Sequence, residues 1–166
     1  MLKMELHGVN LDMMTNQPVV ILKDPSEKKF LPIWIGQFEA QAILMEMQGL
    51  KPSRPLTHDL LKSVIEQFKA SVRQIVIDDL KDGTFFAKIH LDLDSESVAI
   101  DARPSDAIAL AVRTKAPIFA EESVMEKASI LSEEGEDEEV ERFRSFLNSI
   151  TPEDFGPDSP PGGGQG

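Results

Sequence analysis

The sequence predicts an α+β fold built by internal duplication of a β-β-β-α(-α) unit. Its sheet should be mainly antiparallel or mixed, with a flexible acidic C-terminal tail beyond it. Three observations predict this. Short apolar runs bounded by tight-turn residues alternate with stretches of helical periodicity, the pattern of hairpin-joined strands covered by helices. The same order of segments occurs twice, "FLPIWIGQFEAQAILM" being answered later by "SVAIDARPSDAIALAV". In this pairing Ile33 matches Ile100, Glu39 matches Asp106, and Ala40, Ala42 and Ile43 match Ala107, Ala109 and Leu110. After Ile130 the composition turns abruptly acidic.

The elements follow in order. Val9 and Leu11 sit in a first apolar segment, residues 14–18 make a turn, and residues 19–22 are a strand. Pro25 breaks the chain, "FLPIWI" (30–35) is a third strand with Trp34 in the core, and "GQFEAQAILMEM" has helical character. A helix over 57–69 separates the copies; its Leu60, Leu61, Val64, Ile65 and Phe68 recur at helical spacing. In the second copy Ile75 and Ile77 answer Val9 and Leu11, and Asp82-Gly83 marks a hairpin turn. "TFFAKIHLDL" alternates, placing Phe85, Ala87, Ile89, Leu91 and Leu93 on one face. A shorter helix is expected near 123–128. The repeat halves span about 4–52 and 72–119 within a domain of residues 1–131. Residues 132–166 form an acidic tail with an amphipathic helix over about 138–150 (Val140, Phe143, Leu147, Ile150) and a disordered Pro/Gly end. That helix suits a protein partner or the body itself.

Charge and composition exclude several functions. The chain has 17 basic and 29 acidic residues; 3 and 13 of these fall in 121–166, leaving 14 and 16 in 1–120. The body is therefore close to neutral, without the basic footprint of a high-affinity nucleic-acid binder. The absence of cysteine rules out disulfides, thiolate metal sites and a cysteine nucleophile. No apolar run is long enough to span a membrane, and the N-terminus lacks the apolar core of a signal peptide, so a cytoplasmic protein is expected.

Two stretches carry chemistry. In "DARPSDAIALAVR" Pro104 suits the first helical position, which makes Arg103 the N-cap and Asp106 the third residue. A carboxylate there can reach back to the cap amide and complements the helix dipole, and Gly36 with Glu39 repeats the device in the first copy. Capping accounts for neither Asp101, just ahead of the cap, nor Arg103. In "RPLTHDLL" Thr57 is a good N-cap, Leu56 and Leu61 suit a hydrophobic staple, and Asp59 suits the dipole. His58 stands beside it with the chemistry of a proton-transfer group. "DLDSES" lacks the glycine and glutamate of a calcium loop, and His7 and His90 have no ligand partner at helical spacing.

"LPIWIGQFEAQAI", "RPLTHDLL", "LKDGTFFAKI" and "DARPSDAIALAVRTKAPIF" together resemble the bifunctional nuclease domain family, in the family's order and spacing over about residues 4–131. The resemblance implies an α+β fold with an internal duplication, a homo-oligomer, a bacterial cytoplasmic protein, and hydrolysis of DNA and RNA. Plant members carry a further C-terminal motif that the acidic tail here does not match. For such a reaction a divalent metal, Mg²⁺ or Mn²⁺, held by carboxylates is the expected means of activating water. The candidate set is Glu39, Asp59, Asp101 and Asp106 as metal or water ligands. His58 is the candidate general acid/base, and Arg103 with Arg54 the candidate phosphate clamp. This arrangement requires the three helix starts to face one cleft. The competing expectation is a non-catalytic module in which these residues are caps and interface; a small-molecule sensor would instead show a dominant apolar pocket.

Overall fold

The structure is a computed structural model and describes residues 1–131; the acidic segment and its Val140, Phe143, Leu147 and Ile150 stripe lie outside the described residues. The elements are β1 (Leu2–Leu11), β2 (Pro18–Asp24), β3 (Lys29–Trp34), α1 (Gln37–Met47), α2 (Thr57–Gln67) and β4 (Ala70–Lys81). They continue with β5 (Thr84–Leu93), β6 (Glu96–Ala102), α3 (Pro104–Thr114), β7 (Ile118–Ala120), α4 (Glu122–Ala128) and β8 (Ile130–Leu131). The strands form an eight-stranded sheet in the order β6-β5-β4-β7-β1-β2-β3-β8. All neighbours are antiparallel except β4 and β7, so the sheet is mixed.

Turn chemistry sets the hairpins. Asp82 (φ +50°) and Gly83 (φ +75°) both adopt left-handed backbone between β4 and β5, as a two-residue turn matched to strand twist requires. Between β1 and β2, Asp12 Oδ1 accepts the Met14 N–H at 2.9 Å, and Asn16 takes the left-handed φ that asparagine tolerates.

The duplication is visible in three dimensions. Two meanders, β1-β2-β3 and β4-β5-β6, flank β7, which runs antiparallel to β1 and parallel to β4. They point in opposite directions, as an approximate two-fold normal to the sheet demands. That symmetry puts the equivalent helices α1 and α3 on the same face, where they pack against each other. Small buried residues line both partners: Ala40 and Ala42 on α1, and Ala107, Ala109 and Ala111 on α3. Ile108 and Leu110 of α3, with Ile75, Ile77, Ala87, Ile89 and Leu91 of the second meander, complete the core beneath.

Three expectations are corrected. The helix expected over 57–69 ends at Gln67, and its N-cap is Leu56, not Thr57. Most of its apolar stripe faces solvent, a direction the spacing did not specify: Leu60 is 58% exposed and Phe68 78%, whereas Ile65 packs on the core and His58 is the buried residue. The reason is angular. At about 100° per residue, Leu60 and Val64 lie on the far side of the helix from the His58–Ile65 seam that meets α3 and β4. Trp34, expected in the core, is 50% exposed at the end of β3.

Candidate active site

The sheet and the two-fold bring the starts of α1, α2 and α3 together. Each start contributes its third helical residue: Glu39, Asp59 and Asp106. Pro104 opens α3 with Arg103 as its N-cap, as the sequence predicts. Asp59 acts as a capping residue: its Oδ2 accepts the Leu56 N–H at 2.9 Å. Asp106 does not cap in this way, because both of its oxygens are engaged by side chains.

His58 Nε2 and Asp106 Oδ1 are 2.8 Å apart. The other oxygen, Asp106 Oδ2, accepts from Arg103 Nε at 2.8 Å, and Arg103 Nη2 donates to Glu39 Oε1 at 2.7 Å. A chain His58–Asp106–Arg103–Glu39 thus crosses from α2 through α3 to α1. It borders a cleft of about 520 Å³, whose walls include Phe38, Glu39, Leu56, His58, Arg103 and Asp106. Glu39 folds back over its own helix start because the N-cap is Gly36; a Cβ there would collide with the Glu39 carboxylate.

Asp59 is held from behind. Its Oδ1 accepts from Arg113 Nε at 2.8 Å, and Arg113 also donates to the Ala109 carbonyl at 2.9 Å and to the Ala42 carbonyl at 3.0 Å. One buried guanidinium therefore ties all three helices together beneath the cleft. Nothing in the sequence reading singled out Arg113. The available signal was a cation seven residues after Asp106, on a helix whose neighbouring positions are apolar.

Electrostatics agree with this wiring. Burial alone would raise the Asp106 carboxyl, but the Arg103 and His58 hydrogen bonds outweigh it, and the group is held below the usual carboxylate range. At Asp59, burial is again the largest influence and again upward. The Leu56 N–H and Arg113 together reverse it, so this carboxyl is also lowered. Both are therefore anions at neutral pH. An ionised carboxylate can only accept, so His58 Nε2 carries a proton toward Asp106, which leaves Nδ1 as the ring position able to exchange one. No hydrogen bond joins Nδ1 to another described residue.

Of the residues singled out in the sequence, Glu39, His58, Arg103 and Asp106 meet at the cleft. Asp59 sits beside it, on Arg113. Asp101 is exposed on the outer strand β6, opposite Lys88, and Arg54 is exposed on the link before α2. Neither is among the residues lining the cleft, though Pro55, next to Arg54, is. Among the described residues no three His, Asp or Glu side chains converge into a group able to hold a metal ion. Glu39 and Asp106 face each other through a guanidinium, so these residues do not by themselves fit a resident metal.

Fold and site thus define a class: an α+β protein of two meanders related by a pseudo-two-fold, with an Asp–His pair and an arginine at three converging helix starts. The chain belongs to the bifunctional nuclease domain family, whose profile matches residues 20–133. An uncharacterised protein of Mycobacterium tuberculosis is 41% identical over 157 residues, covering 89% of this chain and 94% of that one. Bifunctional nuclease 2 of Oryza sativa is 27% identical over 131 residues, 76% of this chain and 40% of the rice protein. Bifunctional nuclease 1 of Arabidopsis thaliana is 30% identical over 105 residues, 61% of this chain and 32% of its own length. The match thus covers well under half of each plant protein.

Proposed function

We propose that the chain hydrolyses phosphodiester bonds of DNA or RNA in the cleft between the starts of α1, α2 and α3. The observation that carries this reading is the His58–Asp106–Arg103–Glu39 chain at the cleft wall. Asp106 fixes the tautomer of His58 and stabilises the imidazolium that forms when Nδ1 takes a proton from water. The water oxygen bonds to phosphorus, the bond to the departing oxygen breaks, and the proton on His58 passes to that oxygen. Arg103, spread between two carboxylates, holds its third nitrogen, Nη1, for a phosphate oxygen. Arg54 is a second phosphate contact from the rim. The names of the plant relatives agree with this activity.

Mg²⁺ or Mn²⁺ enters this reading as a companion of the substrate phosphates, supplying charge neutralisation, with Glu39 and Asp106 the carboxylates at hand. The exposed Leu60, Val64 and Phe68 face of α2 suits the homo-oligomer that the family resemblance implies, in a bacterial cytoplasm. Among the described residues no helix is long and apolar enough to cross a membrane. The Val140–Ile150 stripe of the acidic segment suits a protein partner.

A second reading, a non-catalytic binding module, is favoured by the near-neutral body and by the engagement of both carboxylates with Arg103. Cleavage of single- and double-stranded DNA and RNA separates the two. The wild-type chain and His58→Gln are compared in Mg²⁺, in Mn²⁺ and in EDTA. Cleavage by the wild type that falls at least 100-fold in the folded variant, the scale of general acid–base catalysis, supports hydrolysis. Binding without cleavage supports the module.

A further inference from the structure

Trp34 ends a strand whose neighbouring residues are buried, yet its ring stands half in solvent. It is not loose. The indole N–H donates to Asp12 Oδ2 at 2.9 Å, and Asp12 is itself fixed by accepting the Met14 N–H through Oδ1. A large aromatic plate is thus pinned at its polar edge, with surface left open.

Beside it lies a second cavity, of about 360 Å³, within the size range of small-molecule sites. Trp34 and Phe85 supply aromatic wall; Gly36 and Ser105, at the starts of α1 and α3, supply the end where helix N–H groups and dipoles favour an anion. Ser105, only 5% exposed as a residue, brings a hydroxyl to the lining at the first turn of α3. Arg103 lines both this cavity and the cleft of His58 and Asp106. An aromatic plate, an anion-favouring floor at two helix starts, and a shared arginine match the parts of one nucleotide next to a scissile phosphate.

We infer that this cavity is a nucleotide subsite: an unpaired base stacks on Trp34, its phosphate lies at Ser105, and the strand passes Arg103 into the cleft. Stacking requires a base splayed from its neighbours, so the preferred substrate is single-stranded. The inference rests on the proposal that the cleft takes nucleic acid, and deepens it.

The sequence has one tryptophan and no tyrosine, so intrinsic indole fluorescence reports Trp34 alone. The full chain carrying His58→Gln is titrated with a deoxyadenylate hexamer, an abasic hexamer and a blunt duplex; fluorescein-labelled hexamer gives affinity by anisotropy. Expected is saturable quenching by the deoxyadenylate hexamer, little by the abasic strand or the duplex. Trp34→Ala should weaken hexamer binding by about 5- to 100-fold, the range of one base–aromatic stack, while Trp34→Phe retains most of it. Ser105→Ala should weaken binding a few-fold with quenching intact. Hexamer binding that leaves Trp34 fluorescence unchanged, or duplex binding as tight as the hexamer, overturns the subsite and leaves the cleft reading standing. A wild-type chain that neither binds nor cleaves any strand overturns both.

Discussion

Replacing Arg113 by methionine keeps most of the buried stem and removes only the guanidinium that joins the three helices. That group makes one charged hydrogen bond to Asp59 and two to the carbonyls of Ala42 and Ala109. Bonds with a charged partner contribute about 1.5–3 kcal/mol each, but these losses do not simply add. Ala42 and Ala109 lie inside helices and keep their backbone partners. Asp59 keeps the Leu56 N–H, and its side chain, 29% exposed, gains some water. The net cost is therefore about 3 kcal/mol, the low end of breaking a buried ion pair. At about 3 °C per kcal/mol for a chain of this size, thermal unfolding followed by circular dichroism should shift down by about 9 °C. Combined with Asp59→Asn, the second change should cost far less than it does alone, because the charge left behind is gone. A single-variant loss under about 0.5 kcal/mol, or strict additivity in the double variant, would refute the view that Arg113 clamps the site.

Other outcomes follow from the same geometry. Gly36→Ala has an ordinary cap backbone but displaces the Glu39 carboxylate from Arg103, so cleavage should fall while the melting temperature changes by no more than a few degrees. Asp59 and Asp106 have lowered folded-state pKa values, so their stabilisation is complete above the unfolded value of about 4, and is lost as pH falls through the folded ones. Urea midpoints measured between about pH 6 and 3 should therefore drop more steeply for the wild type than for Asp59→Asn. Ile108→Ala, in the fully buried centre of α3, should cost about 2–5 kcal/mol in urea denaturation. Leu60→Glu with Phe68→Glu should leave the melting curve of the subunit nearly unchanged and lower the mass seen by light scattering, since both side chains are mostly exposed.

Much of the fold was legible because it is written in local chemistry. Asp82-Gly83 dictates its hairpin, Pro104 starts its helix, and the Phe85-to-Leu93 alternation matches the core-facing side of β5. The repeat of Glu39 by Asp106 correctly placed both acids at third helical positions. What the local pattern could not supply was the direction of each face in space. The Leu60–Phe68 stripe has helical spacing whether it meets the core or a partner, so its periodicity alone left its exposure open. Trp34 sits in an apolar strand by sequence, and only the sheet's edge decides that its ring reaches water. The site was half legible: the acids and His58 stood out by type and position, whereas the Arg113 clamp needs three helices in register before it has any meaning. Asp101 and Asp106 lie close in sequence, but the strand-to-helix turn sends one to an outer strand and the other to the cleft.

The most direct test of the Asp106–His58 pair is single-turnover cleavage of a labelled single-stranded oligonucleotide by wild-type chain and by Asp106→Asn, with folding of both verified by circular dichroism. An asparagine can offer Nδ2–H to the ring and reverse the tautomer, so the expected result is a fall of roughly 10²- to 10⁴-fold in the chemical step with binding little changed. Equal rates from the two proteins would contradict the assignment.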